Sequence, residues 1–287
     1  MAKRANWTIA RRIVQLLMLC LFAVPLIATG WGIAGQYAGG EEPQATPADL
    51  PVWGSLSSSH LVDIDLLDPY AALQVVAAAK DVAFAGLVWA VPVLVAYGII
   101  RGRAFCGWVC PVNLMLEGVD WLREKLGITV KEAPVPRHAK IGVAVAVLAL
   151  SALTSIPLFE ALSPVGAFTR ALLFGSFLGV WTLVAIVIAE LFWARRVWCR
   201  ALCPLGGFYQ AVGAVGLLSV KINHDACVAC DACKARCLCD PAILEPAIEG
   251  REDRVAAGDC MLCGRCVEAC PTRALSIGAA LPARPRL

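Results

Sequence analysis

Four long apolar runs alternate with polar segments along the first two-thirds of the chain. They lie near Ile13–Ile33, Val82–Ile100, Ile141–Phe159 and Ala171–Trp193. Each approaches the roughly 20 residues that a helix needs to cross a bilayer. The pattern therefore predicts four membrane-spanning helices. The first run follows Arg11-Arg12 and lacks a small-residue cleavage site with a clear mature start. It reads as a retained span rather than a removed signal. After Val220 the long apolar runs stop. Residues 221–278 are polar and cysteine-rich, a small domain whose core is too slight to fold by burial alone and needs bound metal. The expected organisation is a basic N-terminus (1–12), a membrane domain (13–220), a metal-binding domain (221–278) and an unstructured tail (279–287).

Composition agrees with that division. Mean hydropathy is +0.71 and 59% of residues are hydrophobic, above the range of ordinary soluble domains. The net charge of +3 gives no support for nucleic-acid binding. The placement of charge says more. Lys3, Arg4, Arg11 and Arg12 precede the first run. Arg101, Arg103, Arg123, Lys125, Lys131, Arg137 and Lys140 separate the second from the third, and Arg195, Arg196 and Arg200 follow the fourth. The loop after the first run is acidic, with Glu41, Glu42, Asp49, Asp63, Asp65 and Asp68. By the excess of Lys and Arg on the inner side, both termini are expected in the cytoplasm of a multi-pass bacterial inner-membrane protein.

The apolar half carries a repeat. "RAFCGWVCP" follows the second run and "RVWCRALCP" follows the fourth. Each unit reads as a Pro-containing entry ("LLDPYAALQ", "ALSPVGAFTR"), an apolar run, basic residues and then C-x3-C-P. A repeat of this kind places a functional site at the interface between its copies, which would gather Cys106, Cys110, Cys199 and Cys203. Residues four apart share one face of a helical turn. Two such pairs supply four thiolates, enough for a further Fe–S cluster, whereas packed free thiols are the plainer alternative.

Fourteen cysteines in a chain of cytoplasmic character point to metal before disulfides. Near the C-terminus the spacing is specific: Cys227-x2-Cys230-x2-Cys233-x3-Cys237, then Cys260-x2-Cys263-x2-Cys266-x3-Cys270-Pro271. This is the double run of bacterial two-cluster ferredoxins, in which the fourth cysteine of each run ligates the other cluster. Cys227, Cys230, Cys233 and Cys270 are expected to hold one [4Fe–4S] cluster, and Cys260, Cys263, Cys266 and Cys237 the other. A zinc site has no reason to repeat that spacing. Leu238 stands where the pattern has Pro, with Pro241 three residues on to make the turn instead, and Cys239 is an extra thiol beside Cys237, either a substitute ligand or a bystander, the spacing favouring Cys237.

His60, His138 and His224 are the three histidines, and none lies in an apolar run, so no membrane haem is expected. Glu190 is the one acid near the end of the fourth run, a candidate proton acceptor or a side chain snorkelling beside Arg195 and Arg196. Trp53, His60 and the stretch Asp68–Gln74 form a polar, aromatic candidate region for quinone. Cys20, set among Leu and Phe, reads as core.

Four runs, "FCGWVCP", "WCRALCP", "LLDPYAALQ" and the double cysteine run resemble the NapH/MauN family of ferredoxin-type membrane proteins, from about Arg11 to Ile277. The resemblance implies a four-helix membrane fold with a duplicated two-helix unit and a small α+β two-cluster ferredoxin-like domain. It implies quinol oxidation, with electrons passing through an iron–sulfur partner similar to NapG towards a periplasmic cytochrome and nitrate reductase. Its methylamine-utilisation branch implies a second function, a redox maturation factor fed by cytoplasmic donors. A redox sensor would need a DNA-binding or kinase-like segment, which the sequence does not offer.

Overall fold

The computed structural model describes residues 6–28, 50–81, 86–130, 136–167 and 180–279, of residues 24–28 the backbone alone. Helix α1 (Trp7–Ala28) comes first. A three-stranded antiparallel meander follows, β1 (Val52–Gly54), β2 (Ser58–Leu61) and β3 (Ile64–Leu67), with Trp53 opposite His60 and His60 opposite Asp65. Asp68 then starts α2 (Pro69–Ala79): its carboxylate accepts from the Ala71 amide, and Pro69 fills the first position, where no N–H is needed. Helices α3 (Leu87–Ile100), α4 (Ala104–Trp108), α5 (Pro111–Leu126), α6 (Ala139–Thr154), α7 (Leu158–Leu162), α8 (Val180–Phe192) and α9 (Pro204–Gly213) complete this part.

The expected four membrane-spanning helices are not found, and the sidedness and multi-pass inner-membrane location drawn from them are overturned. Among the described residues no helix is long and apolar enough to cross a membrane. α3 and α6 have 14 and 16 residues. At 1.5 Å per residue they are about 21 and 24 Å long, against a hydrocarbon core of about 30 Å. The run Ile141–Phe159 is broken in two: Ser155 turns left-handed at φ 56°, and α7 starts at Leu158. α1 does not present an apolar surface all round, because it turns Arg11 and Gln15 inward, both fully buried. The all-α class for this part also fails, since β1–β3 interrupt it. Residues 29–33, 82–85 and 171–179 of the expected spans, and the tail beyond Ala279, lie outside the described residues.

The helices meet around an aromatic core. Tyr209 stacks on Phe105 at 5.4 Å and meets Tyr97 and Phe208 edge-on; Tyr70 packs on Phe159 and Phe208. Two of the hydroxyls have buried acceptors. Tyr209 donates to Asp68 Oδ1 at 2.8 Å, and Tyr70 to the Ala144 carbonyl at 3.0 Å. Burial pushes the Asp68 carboxyl up to about 6, against the lowering effect of the Tyr209 hydroxyl. α9 lies close on α6 because Gly207 has no Cβ; one built there would overlap the Lys140 carbonyl.

The C-terminal part hangs on one antiparallel ladder, β4 (Leu218–Ile222) with β5 (Leu275–Ala279), Val220 opposite Ile277. Between these strands the chain makes cysteine loops and helices of four or five residues, α10 (Ala232–Ala235), α11 (Glu245–Ile248) and α12 (Arg265–Ala269). Arg101, just after α3, ties the two parts together. Its guanidinium, 2% exposed, donates to the carbonyls of Leu218, Val255, Ala256 and Ala257 at 2.8–3.0 Å.

Candidate metal centres

Three groups of thiols are brought together. The first is Cys227, Cys230, Cys233 and Cys270, which line one small cavity of about 20 Å3 with Ile222 and Ile248. Cys270 comes from the far run, so three ligands from one loop meet the fourth from the other. The loop can curl this way because Ala229 and Asp231 adopt left-handed backbone at φ 48° and 56°, a conformation that non-glycine residues enter at a cost. The Ala274 amide donates to Cys270 Sγ at 3.3 Å. Cys230 is exposed, so this group lies at the surface.

The second group is deeper. Cys260, Cys263 and Cys266 are buried, and Cys237 half-buried. Cys239 stands with them. It is buried, hydrogen-bonds with Cys237, and lies close enough to Cys260 and Cys263 to raise both thiols' pKa values. Its Sγ donates to the Asp259 carbonyl at 3.1 Å. The Cys237 contact and the Arg103 charge pull the Cys239 thiol down, against its burial. The structure thus gathers five thiols here where the spacing names four. Leu238, in place of the expected Pro, is fully buried; the turn is made instead by Asp240, which caps a short 3-10 helix with Pro241 in its first turn.

The third group comes from the repeat. Cys106, Cys110, Cys199 and Cys203 line a single small cavity of about 20 Å3, with Arg103, Asn113 and an apolar wall that includes Phe105 and Phe159. The two motifs fold alike at their ends. Cys110 (φ −62°, ψ 120°) and Cys203 (φ −72°, ψ 113°) each precede a helix whose first residue is Pro. The Pro fits that position because its N–H is not needed there. The Gly206 amide donates to Cys203 Sγ at 3.3 Å. Burial raises all four thiols, Cys203 to about 12. Among the described residues no three Cys, His, Asp or Glu side chains converge as a single metal ion requires. The thiols stand around cavities instead.

The arginine before each motif crosses to the other unit. Arg103 Nη2 donates to the Cys199 carbonyl at 2.8 Å. Arg196 donates to Asn113 Oδ1 at 2.7 Å and Asp120 Oδ2 at 2.9 Å. Glu190, 3% exposed, accepts from the backbone amides of Arg196 and Trp198, the latter at 3.0 Å. It ties down the π-helical turn Trp198–Leu202 that carries Cys199.

Several site residues carry no signal as single letters. Asp259, 1% exposed, pairs with Arg103 at 3.3 Å and with Lys140; Arg11 pairs with Glu117, both buried. The one visible cue is the repeated R-x2-C-x3-C-P, Arg103 before Cys106 and Arg196 before Cys199. Trp53 stacks on His60, whose Nδ1 is 2.7 Å from Asp65. Gln74 accepts from the Phe159 amide at 3.0 Å. Cys20, expected in the core, is exposed.

Comparison with known proteins points the same way. A family model described as a 4Fe-4S binding domain matches residues 82–129 and again 173–223, each match enclosing one C-x3-C-P motif. A second model, also described as a 4Fe-4S binding domain, matches residues 255–276. The methylamine utilization ferredoxin-type protein MauN of Paracoccus denitrificans is 34% identical over 89% of this chain and 84% of its own length. The ferredoxin-type protein NapH of Haemophilus influenzae is 32% identical over 91% and 85%. NapH of Escherichia coli is 30% identical over 92% and 86%. No solved structure matches the chain.

Proposed function

The chain belongs to the NapH/MauN family of ferredoxin-type 4Fe-4S proteins, and from that premise we propose that it takes electrons from quinol and passes them, through an iron–sulfur partner, towards a nitrate-reducing system. The observation that carries the electron-transfer part is the exchange between runs: Cys270 lines the cavity of Cys227, Cys230 and Cys233. That exchange fits two clusters held side by side, one by those four cysteines and one by Cys260, Cys263, Cys266 and Cys237. A bound [4Fe–4S] cluster supplies one-electron transfer at a potential set by its surroundings. The chain's own residues set those surroundings. The first quartet is wetter at Cys230, and its Cys270 sulfur accepts the Ala274 amide. The second is buried beside the Arg103 charge. A surface centre next to a buried one suits exchange with a partner at the Cys230 edge.

A second reading, a redox maturation factor, is favoured by the methylamine-utilisation relatives, which are as similar as NapH. The two readings separate when the anaerobic protein is mixed with a reduced water-soluble quinol. The proposal expects an EPR signal from reduced clusters with quinol alone. Clusters that stay oxidised with quinol and reduce only with dithionite would move the assignment to maturation.

A further inference from the structure

We propose that Arg101 and Arg103 set the order of the two ferredoxin-type centres: their buried charges favour the reduced state of the centre of Cys260, Cys263, Cys266 and Cys237, and hold its potential above that of the surface centre of Cys227, Cys230, Cys233 and Cys270. The proposal deepens the electron-transfer reading and rests on its two-centre assignment, not on quinol as the donor. Both arginines reach the turn that presents Cys260. Arg101 Nη2 donates to the Ala257 carbonyl at 2.9 Å, and the same carbonyl accepts from the Cys260 amide at 3.1 Å. Arg103 Nη1 donates to the Asp259 carbonyl at 3.1 Å, which also accepts from Cys239 Sγ at 3.1 Å. Each guanidinium thus shares one carbonyl with a cysteine of the second group.

Packing fixes the two arginines on this turn. A Cβ on Gly102, between them, would stand 2.2 Å from the Tyr209 carbonyl, so only glycine lets the chain cross α9 here. A Cβ on Gly107 would stand 2.7 Å from the Met261 carbonyl, and Trp108 Nε1 donates to the Leu262 carbonyl at 3.1 Å. The segment that carries Arg101 and Arg103 is therefore seated on residues 257–262 along its length, and the charges are held there by close contact as well as by hydrogen bonds.

Charge in this seat is out of balance. The acceptors of Arg101 are all carbonyls. Asp259 is a carboxylate that Arg103 and Lys140 share, and Asp240 is paired with Arg200 at 3.0 Å. Arg101 Nε and Arg103 Nε are both buried and lack an acceptor. A buried cation without a matching anion is costly. A cluster held by four thiolates supplies that anion, and it becomes more negative on reduction. Burial lowers the Arg101 pKa, and the Cys260 and Cys239 sulfurs act against that lowering. Beside the first quartet, in contrast, Lys234 faces Asp231 at 3.1 Å, so the charges there offset each other. A positive charge next to a centre raises its potential, and a buried one is little screened by salt. Arg101 and Arg103 therefore draw electrons to the buried centre and leave the surface centre to exchange them with a partner.

The test is a redox titration of the anaerobically purified, iron-loaded full chain with mediators and dithionite, read by EPR. The signal that Cys263→Ser removes belongs to the buried centre. In wild type it is expected to appear first as the potential falls. Arg101→Gln and Arg103→Gln are each expected to weaken electron uptake by that centre about tenfold, a fall of about 59 mV for a one-electron step, and to move the surface centre far less. Arg101→Lys and Arg103→Lys are expected to restore most of the shift. Asp259→Asn is expected to move the same signal upward, because it removes the carboxylate that offsets Arg103. A packing defect gives no reversal of sign with the sign of the charge removed. If a glutamine variant does not fold, Asp259→Asn decides by the direction of its shift. A surface centre that reduces first, equal shifts in both centres, or a downward shift in Asp259→Asn overturns the proposal. Centres in the expected order that quinol cannot reduce would keep it and remove the quinol reading. Centres in the opposite order that quinol does reduce would remove it and leave the function standing.

Discussion

Asp259→Ala is expected to cost the folded protein about 3–5 kcal/mol, the range for stripping one partner from a buried ion pair. Asp259 is 1% exposed and sits between three cations: Arg103 at 3.3 Å, Lys140, and Arg137 at 3.9 Å. Arg103 and Lys140 are each 1% exposed as well. The substitution removes the one carboxylate that both charges share, leaving carbonyls as their hydrogen-bond acceptors: Cys199 and residue 259 itself for Arg103, Arg200 for Lys140. Water cannot reach them, so the desolvation cost stays uncompensated. Asp259→Asn keeps the shape and an acceptor but not the charge, and should fall between alanine and wild type. Urea unfolding of the iron-loaded protein measures the difference. A loss under about 1 kcal/mol, the worth of an exposed pair, would mean that the cluster of charges does not hold the two parts together.

Iron removal should have a comparably large but more local effect. From Leu218 to Ala279 the regular structure is one two-stranded ladder and helices of four or five residues. A lone hairpin is marginal in water, and helices this short do not persist by themselves. Bound metal must therefore supply much of the folding free energy of the cysteine loops. After treatment with chelator and oxidant, amides in 227–237 and 260–270 are expected to exchange with solvent at least about 100-fold faster, a loss near 2.7 kcal/mol. Amides of α6 and α9, packed on the aromatic core, should keep their protection. Unchanged exchange in the loops after full iron loss would contradict the assignment of those cysteines as ligands.

What could be read from the chain, and what could not, divides along physical lines. The cysteine runs are legible because a cube constrains spacing directly: three thiols in one tight loop and a fourth from elsewhere. The C-x3-C-P motifs read as single helical turns presenting both thiols, whereas Cys110 and Cys203 adopt extended backbone just before a helix whose first residue is Pro. The helix lengths were not legible either. Apolar content does not tell where a helix stops, and Ser155 ends α6 within the run Ile141–Phe159. The meander β1–β3 was missed for the opposite reason, since its strands of three or four residues are too short to show alternation. Charge misled in a third way. Arg11, Arg103, Lys140 and Arg196 look like the basic flanks of spans, yet each is at most 2% exposed and pairs with Glu117, Asp259 or Asp120. Such partners come from distant segments, and no local pattern announces them.

The exchange of ligands between the two runs is tested most directly by EPR spectra of three reduced variants, Cys230→Ser, Cys270→Ser and Cys263→Ser, recorded anaerobically. Cys270→Ser is predicted to leave the same residual spectrum as Cys230→Ser, because both strike the cavity that Cys270 shares with the first run, while Cys263→Ser leaves the other. A Cys270→Ser spectrum that matches Cys263→Ser instead would mean that each run holds its own cluster, and the paired arrangement on which the electron-transfer account stands would be wrong.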